Sequence, residues 1–149
     1  MGFETPSLKG RALRLLSGRE YSRLELERKL MTYEEAPGSL AAALDDLQAK
    51  GFISEQRVLE SVVNRRAGKL GAARIKQELQ GKGLDPQAVA EAMTDLRSTE
   101  LARAREVWRK KFGQPPIDAT ERAKQMRFLA SRGFAGDTIR RVVAGADED

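Results

Sequence analysis

The chain has 149 residues, about one ordinary domain, and 33 % of them are charged. It contains no cysteine and no histidine, which excludes disulfides, cysteine or histidine zinc sites, and catalysis by a thiolate or an imidazole. The formal net charge of +5 favours an acidic partner, such as nucleic acid, an anionic protein surface or a membrane surface.

The longest apolar run, Leu40 to Leu44, is far too short to cross a bilayer. The opening Met1-Gly2-Phe3-Glu4 shows no secretory signal. The absence of cysteine agrees with a reducing compartment. We therefore expect a cytoplasmic protein.

Helix-favouring residues dominate long windows of the sequence, and alternating strand patterns are scarce. We predict an all-α protein with nine helices. They cover roughly residues 8–17, 22–32, 39–50, 55–67, 71–82, 86–97, 99–112, 118–132 and 136–145.

Local signals mark several of these helix ends. Ser22-Arg23-Leu24-Glu25 has the spacing of a capping box, and Asp118 with Glu121 repeats that spacing. Asp85-Pro86 offers an N-cap acceptor followed by a proline at the first helical position. Lys82-Gly83-Leu84 and Arg132-Gly133-Phe134 each predict a helix end with a left-handed glycine.

Apolar positions recur at a spacing near 50 residues, in the range of helical solenoids. Leu30, Leu40, Leu44 and Leu47 fall on Leu79, Val89, Met93 and Leu96, and a third copy contains Leu129, Ile139 and Val143. We predict three tandem three-helix repeats, 1–53, 54–98 and 99–149, the last with an acidic tail, in an elongated and curved array. The alternative is chance agreement of leucines at helical spacing.

Basic residues are concentrated in the second and third repeats. Six lie between Arg65 and Lys82 against one acid, five between Arg103 and Lys111 against one, and six between Arg122 and Arg141 against one. Residues 34–60 instead hold six acids against two bases, so the first repeat has a different electrostatic partner or none.

We predict that these clusters form a basic stripe that binds a phosphate backbone or an acidic groove. The alternative is a solvated helix surface with ordinary i,i+4 pairs. The candidate residues are Arg65, Arg66, Lys69, Arg74, Lys76, Lys82, Arg109, Lys110, Lys111, Arg122, Lys124, Arg127 and Arg132.

Trp108 and Phe112 share a helical face inside a basic run, which is compatible with a base-stacking platform. A core role is favoured, because a chain with only eight aromatic residues needs them for packing, and the same holds for Phe128 and Phe134. No glycine-rich phosphate loop is present. We expect no enzyme activity, cofactor or metal.

Two other functions stay open. A helix-turn-helix DNA reader is compatible with short helices joined by glycine turns, and its base-contacting candidates are Gln87, Arg97, Arg140 and Arg141. A generic helical adaptor for another protein is the third possibility.

The sequence resembles the RecX family of bacterial RecA modulators over residues 8 to 145. The first repeat carries the resemblance in Ala12-Leu13-Arg14-Leu15-Leu16, Tyr21-Ser22-Arg23-Leu24-Glu25-Leu26 and Gly51-Phe52-Ile53-Ser54-Glu55. The later repeats carry it in Gly71, Arg74-Ile75, Glu78-Leu79, Lys82-Gly83-Leu84, Lys110-Lys111-Phe112, Arg127-Phe128-Leu129 and Arg132-Gly133-Phe134.

The resemblance implies a monomeric regulator that lies in the helical groove of the RecA–DNA filament and inhibits recombinase and co-protease activity. Its basic clusters would face acidic RecA surface or DNA phosphates. The chain departs from the family pattern at residues 31–35, where a basic-glycine-apolar helix end is expected. It also departs at Val58, where an aromatic residue is expected, and at Ser54, where an acid is expected.

Overall fold

The computed structural model describes residues 5–145, and within that range the chain is helical with no strand. The described residues form nine α-helices and one short 3₁₀ helix, Met31–Tyr33. The α-helices are α1 Leu8–Gly18, α2 Arg23–Leu30, α3 Ser39–Ala49, α4 Glu55–Arg66, α5 Ala72–Gly81, α6 Pro86–Ser98, α7 Glu100–Lys111, α8 Ala119–Ser131 and α9 Gly136–Val143.

The predicted all-α class is confirmed, and the helix ends agree to within about two residues, the usual uncertainty of helix boundaries. Two helices end two residues early: α9 ends at Val143, and α2 ends at Leu30 and tightens into the 3₁₀ turn instead of continuing to residue 32. None of the helices in residues 5–145 is long and apolar enough to cross a membrane.

The predicted caps explain where several helices begin and end. Ser22 Oγ accepts from the Glu25 amide at 3.1 Å, and Glu25 Oε1 accepts from the Ser22 amide at 2.9 Å, so the capping box is complete. Asp118 Oδ1 accepts from the Glu121 amide at 2.8 Å. Gly83 and Gly133 have φ values of 70° and 89°, the left-handed conformation expected at both positions.

The chain divides into two compact units. The described residues of unit 1 lie within Met1–Ser61 and Gly81–Asp85, and those of unit 2 within Val62–Gln80 and Pro86–Asp149. In unit 1, α1 packs on α2 and α3, and α2 packs on α3. The core they enclose consists of Ala12, Leu26, Leu30, Leu40, Leu44, Leu47 and Ile53.

In unit 2, α9 packs on both α7 and α8. The core of these three helices consists of Ala104, Leu129, Phe134, Ile139, Val142 and Val143. Burying each large aliphatic or aromatic side chain contributes about 1.5–3 kcal/mol. This cluster is therefore a main source of stability for the third helix triplet, α7 to α9.

The repeated apolar positions are buried in each helix triplet. Leu30, Leu79 and Leu129 are at most 3 % exposed, and Leu40, Val89 and Ile139 at most 6 %. This equivalence supports the predicted helical repeat. The repeat boundaries at 53/54 and 98/99 stay a prediction, and the acidic tail, Asp147 to Asp149, lies outside the described residues.

The two single-residue departures from the expected pattern are accommodated. Val58 is 2 % exposed and packs in the interior of the chain. Ser54 Oγ accepts from the Arg57 amide at 3.2 Å, so serine caps α4 in place of an acid.

Candidate partner-binding surface

One side of α8 presents exposed cations in unit 2. Lys124 and Arg127 are three residues apart and therefore lie on one face of the helix, opposite the side that buries Gln125 and Leu129. Within the part of the chain that the structure describes, neither forms an ion pair. Their charges are therefore available to an external anion.

Phe128 lies beside these residues, and two further cations contact its ring. The Arg132 guanidinium carbon is 4.8 Å from the centroid of the Phe128 ring, and Lys111 Nζ is 5.4 Å from it. Both are within cation–π range. Phe112 meets the same ring edge-on at 5.5 Å between centroids, which fixes the plane of Phe128.

Arg74 joins the same side of α8 from α5. Its Nη1 donates to the carbonyl oxygen of Ser131 at 2.6 Å, one turn beyond Arg127 on α8. Its side chain passes directly over Gly133, where a Cβ would lie 2.2 Å from Arg74 Cγ. We name these six residues the α8 surface: Arg74, Lys111, Lys124, Arg127, Phe128 and Arg132.

A buried carboxylate ties together α5 and α7, which supply Arg74 and Lys111 to this surface, and α9. Glu100, 6 % exposed, accepts from the Ala72 amide at 2.7 Å and from the Ala135 amide at 3.0 Å. Because Ala72 begins α5 and Ala135 caps α9, one side chain at the start of α7 ties three helix N-termini together. A carboxylate is also favoured at these positive helix ends.

Arg103, one turn further along α7, also holds neighbouring segments of unit 2 together. Its guanidinium donates to the carbonyl oxygens of Ala67, Leu70 and Leu96 at 2.9, 2.7 and 2.8 Å. Burial lowers the pKa of Arg103 below its ordinary value, and the nearby Glu100 charge opposes that shift. Arg103 therefore orders the loop before α5 and is not a surface cation.

Several residues of the predicted basic stripe are paired with carboxylates. Arg66 Nε is 3.0 Å from Glu78 Oε1, and Arg65 Nη2 is 3.9 Å from Glu78 Oε2. Arg109 forms a two-pronged pair with Glu106 at 2.6 and 3.0 Å, and Lys110 Nζ is 3.9 Å from Glu106. These pairs reduce the charge that each cation offers to a partner.

Lys82 belongs to unit 1, where it has a structural role. Its side chain is 12 % exposed, and Nζ is 3.0 Å from Glu25 Oε2, which also accepts from Arg19 at 3.0 Å. Burial raises the pKa of Glu25, but the hydrogen bonds from the Ser22 amide, Arg19 and Lys82 outweigh that effect and lower it to about 2.

The remaining candidates, Lys69, Lys76 and Arg122, are not part of the α8 surface. Lys76 is two residues from Arg74 on α5 and therefore points to another side of that helix. Arg122 is five residues from Arg127, which turns it by about 140° around α8. Lys69 is exposed in the loop before α5. Whether the thirteen candidates form a single stripe stays a prediction.

The core role of the aromatic residues is confirmed for Trp108, Phe128 and Phe134. Trp108 and Phe128 pack against the core of α7 to α9, and Phe134 is 5 % exposed within it. Trp108 Nε1 donates to Gln125 Oε1 at 2.8 Å, and the fully buried Gln125 in turn donates to the Gln114 carbonyl at 3.1 Å.

Sequence reasoning missed two residues that tie α7 to the start of α5 and to the loop before it. Glu100 is indistinguishable in sequence from an ordinary acid in the first turn of a helix, and Arg103 falls inside a run of basic residues. Their roles depend on hydrogen bonds to the Ala72 and Ala135 amides and to loop carbonyls. These groups lie up to 36 residues away in the sequence.

Two domains of a known family match the second helix triplet, α4 to α6, and the third helix triplet, α7 to α9. The second three-helix domain of RecX matches residues 54–93, and the third three-helix domain of RecX matches residues 98–143. A crystal structure of RecX from Lactobacillus salivarius is 21 % identical, with a TM-score of 0.74 over 95 % of this chain and 96 % of that one. That structure supports the fold.

Two curated relatives are considerably closer in sequence. The regulatory protein RecX of Leptothrix cholodnii is 55 % identical over 143 residues, covering 96 % of this chain and 91 % of that protein. The regulatory protein RecX of Ralstonia pickettii is 47 % identical over 142 residues, covering 95 % and 89 %. With the two matched three-helix domains, these identities show that the chain belongs to the RecX family of regulatory proteins.

Proposed function

We propose that this chain is a non-enzymatic regulator that binds the RecA–DNA filament in its helical groove and inhibits recombinase and co-protease activity. Membership of the RecX family supports the regulatory role, because the curated relatives are named regulatory proteins. Action on such a filament would place the protein in the cytoplasm.

The observation that carries the proposal is the set of unpaired cations on the α8 surface. Lys111, Lys124, Arg127 and Arg132 form no ion pair with any residue between 5 and 145. A cation that is already paired must give up its carboxylate before it binds an external anion, whereas these four do not. The α8 surface therefore offers a group of unpaired cations suited to acidic protein or DNA phosphate.

Paired cations of the predicted stripe rank below these four as contacts. Arg65, Arg66, Arg109 and Lys110 each lie within 4 Å of Glu78 or Glu106, so their contribution to a partner is smaller. Binding that depends on cations of this kind weakens as salt is added, because ions screen the charges and compete for the partner.

The primary test measures the DNA-dependent ATP hydrolysis of RecA with this protein present at well below one molecule per RecA. We expect inhibition during filament assembly and on preformed filaments. If the full chain changes neither filament assembly nor preformed filaments, the proposed function is wrong.

The α8 surface is tested with the double variant Lys124→Glu/Arg127→Glu. We expect filament binding to weaken by at least about tenfold, because two attractions become repulsions, with helicity unchanged in these exposed positions. Inhibition that equals the unmodified chain would remove this site assignment.

A matched control reverses two exposed charges elsewhere in unit 2, Arg97→Glu/Arg140→Glu. These residues are also candidate base contacts of the helix-turn-helix alternative. Retention of RecA inhibition by this control supports the α8 surface. Loss of tight DNA binding without RecA in the control alone would favour a direct DNA reader. Capture of another protein in place of RecA would favour the adaptor.

A further inference from the structure

We infer that unit 1 contains a separate nucleotide-binding site, in which Arg14 and Lys29 hold a phosphate group and Tyr33 stacks against the base. The site lies between α1 and the end of α2. It involves no residue of the α8 surface, so it goes beyond the proposed function.

The first observation is a cavity of about 260 Å³ lined by Arg11, Arg14, Leu15, Lys29, Leu30 and Tyr33. Three of these six side chains are cations, and none is acidic. Two leucines and a tyrosine supply apolar surface beside the charges. A concave site with apolar walls and a few convergent charged groups is typical of small-molecule recognition.

The second observation is that these three cations differ from the other cations of unit 1. Six of the others pair with a carboxylate, and Arg28 donates to the carbonyl of Gly81 at 3.4 Å. The six paired cations are Lys9, Arg19, Arg23, Lys50, Arg57 and Lys82.

Among the described residues of unit 1, only Arg11, Arg14 and Lys29 are left without a carboxylate or carbonyl partner for their side chains. Those three line the same cavity. The other described cations of unit 1 thus each have a carboxylate or a carbonyl partner, whereas the cations of this cavity have neither and can take an external anion.

The third observation is the exposed tyrosine beside these charges. Tyr33 is 48 % exposed, although it is a large aromatic residue in a chain with few of them. The Arg11 guanidinium carbon lies 3.8 Å from the centroid of its ring, a cation–π stack that holds the ring in place. A preformed aromatic surface next to cations suits a base with its phosphate.

The orientation of the ligand follows from a second cavity. A space of about 490 Å³ shares Arg11 and Tyr33 with the smaller cavity and is also lined by Glu35. A carboxylate disfavours phosphate, but it accepts hydrogen bonds from hydroxyl or amino groups. We therefore assign the phosphate to the side of Arg14 and Lys29, and the base or sugar to the side of Glu35.

A nucleotide fits these features better than an acidic peptide. A carboxylate would satisfy the cations but would leave the exposed part of the Tyr33 ring, which the Arg11 guanidinium does not cover, without a stacking partner. Duplex DNA presents phosphates, but its bases are stacked on each other and do not reach the ring. The shared chemistry is a phosphate with an accessible base, supplied either by single-stranded nucleic acid or by a free mononucleotide.

The experiment uses the full chain without RecA, so its failure leaves the proposed function untouched. Binding of a fluorescein-labelled octathymidylate is measured by anisotropy at low salt, and binding of ATP by titration calorimetry. The two probes distinguish the two sources. An abasic oligonucleotide and a glutamate peptide of equal charge serve as comparison ligands.

The charge test compares Arg14→Gln/Lys29→Gln with the matched control Lys9→Gln/Lys50→Gln, which removes two exposed cations of unit 1 away from the cavity. We expect the first variant to lose about tenfold in affinity for at least one probe and the control to lose much less. Equal losses in the two variants would overturn the proposal. Circular dichroism checks that all variants remain folded.

The stacking test uses Tyr33→Leu and Tyr33→Phe. We expect the leucine variant to lose roughly tenfold in affinity and its preference for a base over an abasic backbone, and the phenylalanine variant to retain both. Equal binding of the abasic oligonucleotide by the unmodified chain would refute the stacking role. Tighter binding of the glutamate peptide, dependent on Arg14 and Lys29, would identify a peptide site instead.

Discussion

Gly71 and Gly133 lie backbone against backbone in unit 2. The Gly71 amide donates to the carbonyl oxygen of Arg132 at 2.7 Å. A Cβ on Gly71 would lie only 2.3 Å from the carbonyl oxygen of Gly133, which is a rigid backbone atom. The start of α5 therefore approaches the end of α8 more closely than any residue with a side chain allows, and this approach brings Arg74 to the α8 surface.

The first prediction is that Gly71→Ala destabilises the protein by about 2–4 kcal/mol, because a methyl group must push two backbone segments apart. Thermal and urea unfolding measure this loss. Gly68→Ala is the matched control, since a Cβ at Gly68 meets nothing within 4 Å and φ there is not positive. A similar stability for the two variants would contradict this packing.

Local chemistry made the helices predictable. Ser22, Asp118, Gly83 and Gly133 act on backbone groups within a few residues, so their effects are visible in the sequence. The repeated apolar positions were equally visible, because a buried helix face requires regular spacing. Fold class and most helix ends therefore followed from sequence alone, whereas the 3₁₀ turn after α2 did not.

The charged residues are less predictable, because their roles depend on partners that are remote in sequence. Lys82 falls within a basic cluster of the sequence, yet its partner Glu25 lies 57 residues earlier. Arg103 falls within another, yet it donates to loop carbonyls up to 36 residues away. Arg14 and Lys29 have no distinguishing sequence signal. Their lack of a carboxylate partner is seen only in the structure, where most other cations of unit 1 are paired.

The second prediction concerns Glu100, whose carboxylate accepts from the amides of Ala72 and Ala135. In Glu100→Gln the side chain keeps one acceptor oxygen. Its NH₂ group then faces the second backbone amide, so two donors point at each other and neither has an acceptor. A buried donor without an acceptor costs about 1–3 kcal/mol, so we expect a loss of this size in urea unfolding. Glu106→Gln, an exposed change on the same helix, should cost much less. Equal losses would show that Glu100 has no special role.

The third prediction is a pH dependence from Glu25. Its pKa is about 2 in the folded protein against an ordinary value of 4.5, so the unfolded chain binds the proton more readily. The stabilisation is therefore complete above about pH 4.5 and is lost as the pH falls toward 2. The difference in pKa corresponds to at most about 3 kcal/mol, which solvent screening of this partly exposed group reduces to about 1 kcal/mol.

Free energies of unfolding measured between pH 6 and pH 2 check this dependence. Glu25→Gln should flatten the curve across that window, whereas Glu91→Gln, an exposed change on α6, should leave its slope unaltered. Nuclear magnetic resonance titration of the Glu25 carboxyl provides an independent value. A folded-state pKa near 4.5 would mean that the Ser22 amide, Arg19 and Lys82 do not stabilise the carboxylate.

The fourth prediction concerns Gln125, which is fully buried and links Trp108 to the loop before α8. Gln125→Met keeps the shape of the side chain but leaves the Trp108 indole N–H and the Gln114 carbonyl without their partner. We expect a loss of about 2 kcal/mol in the free energy of unfolding. Trp108 is the only tryptophan, so its fluorescence reports directly on this environment. Gln87→Met, an exposed change on α6, is the control. If both variants unfold at the same urea concentration with unchanged Trp108 emission, the hydrogen bonds of Gln125 contribute nothing to stability.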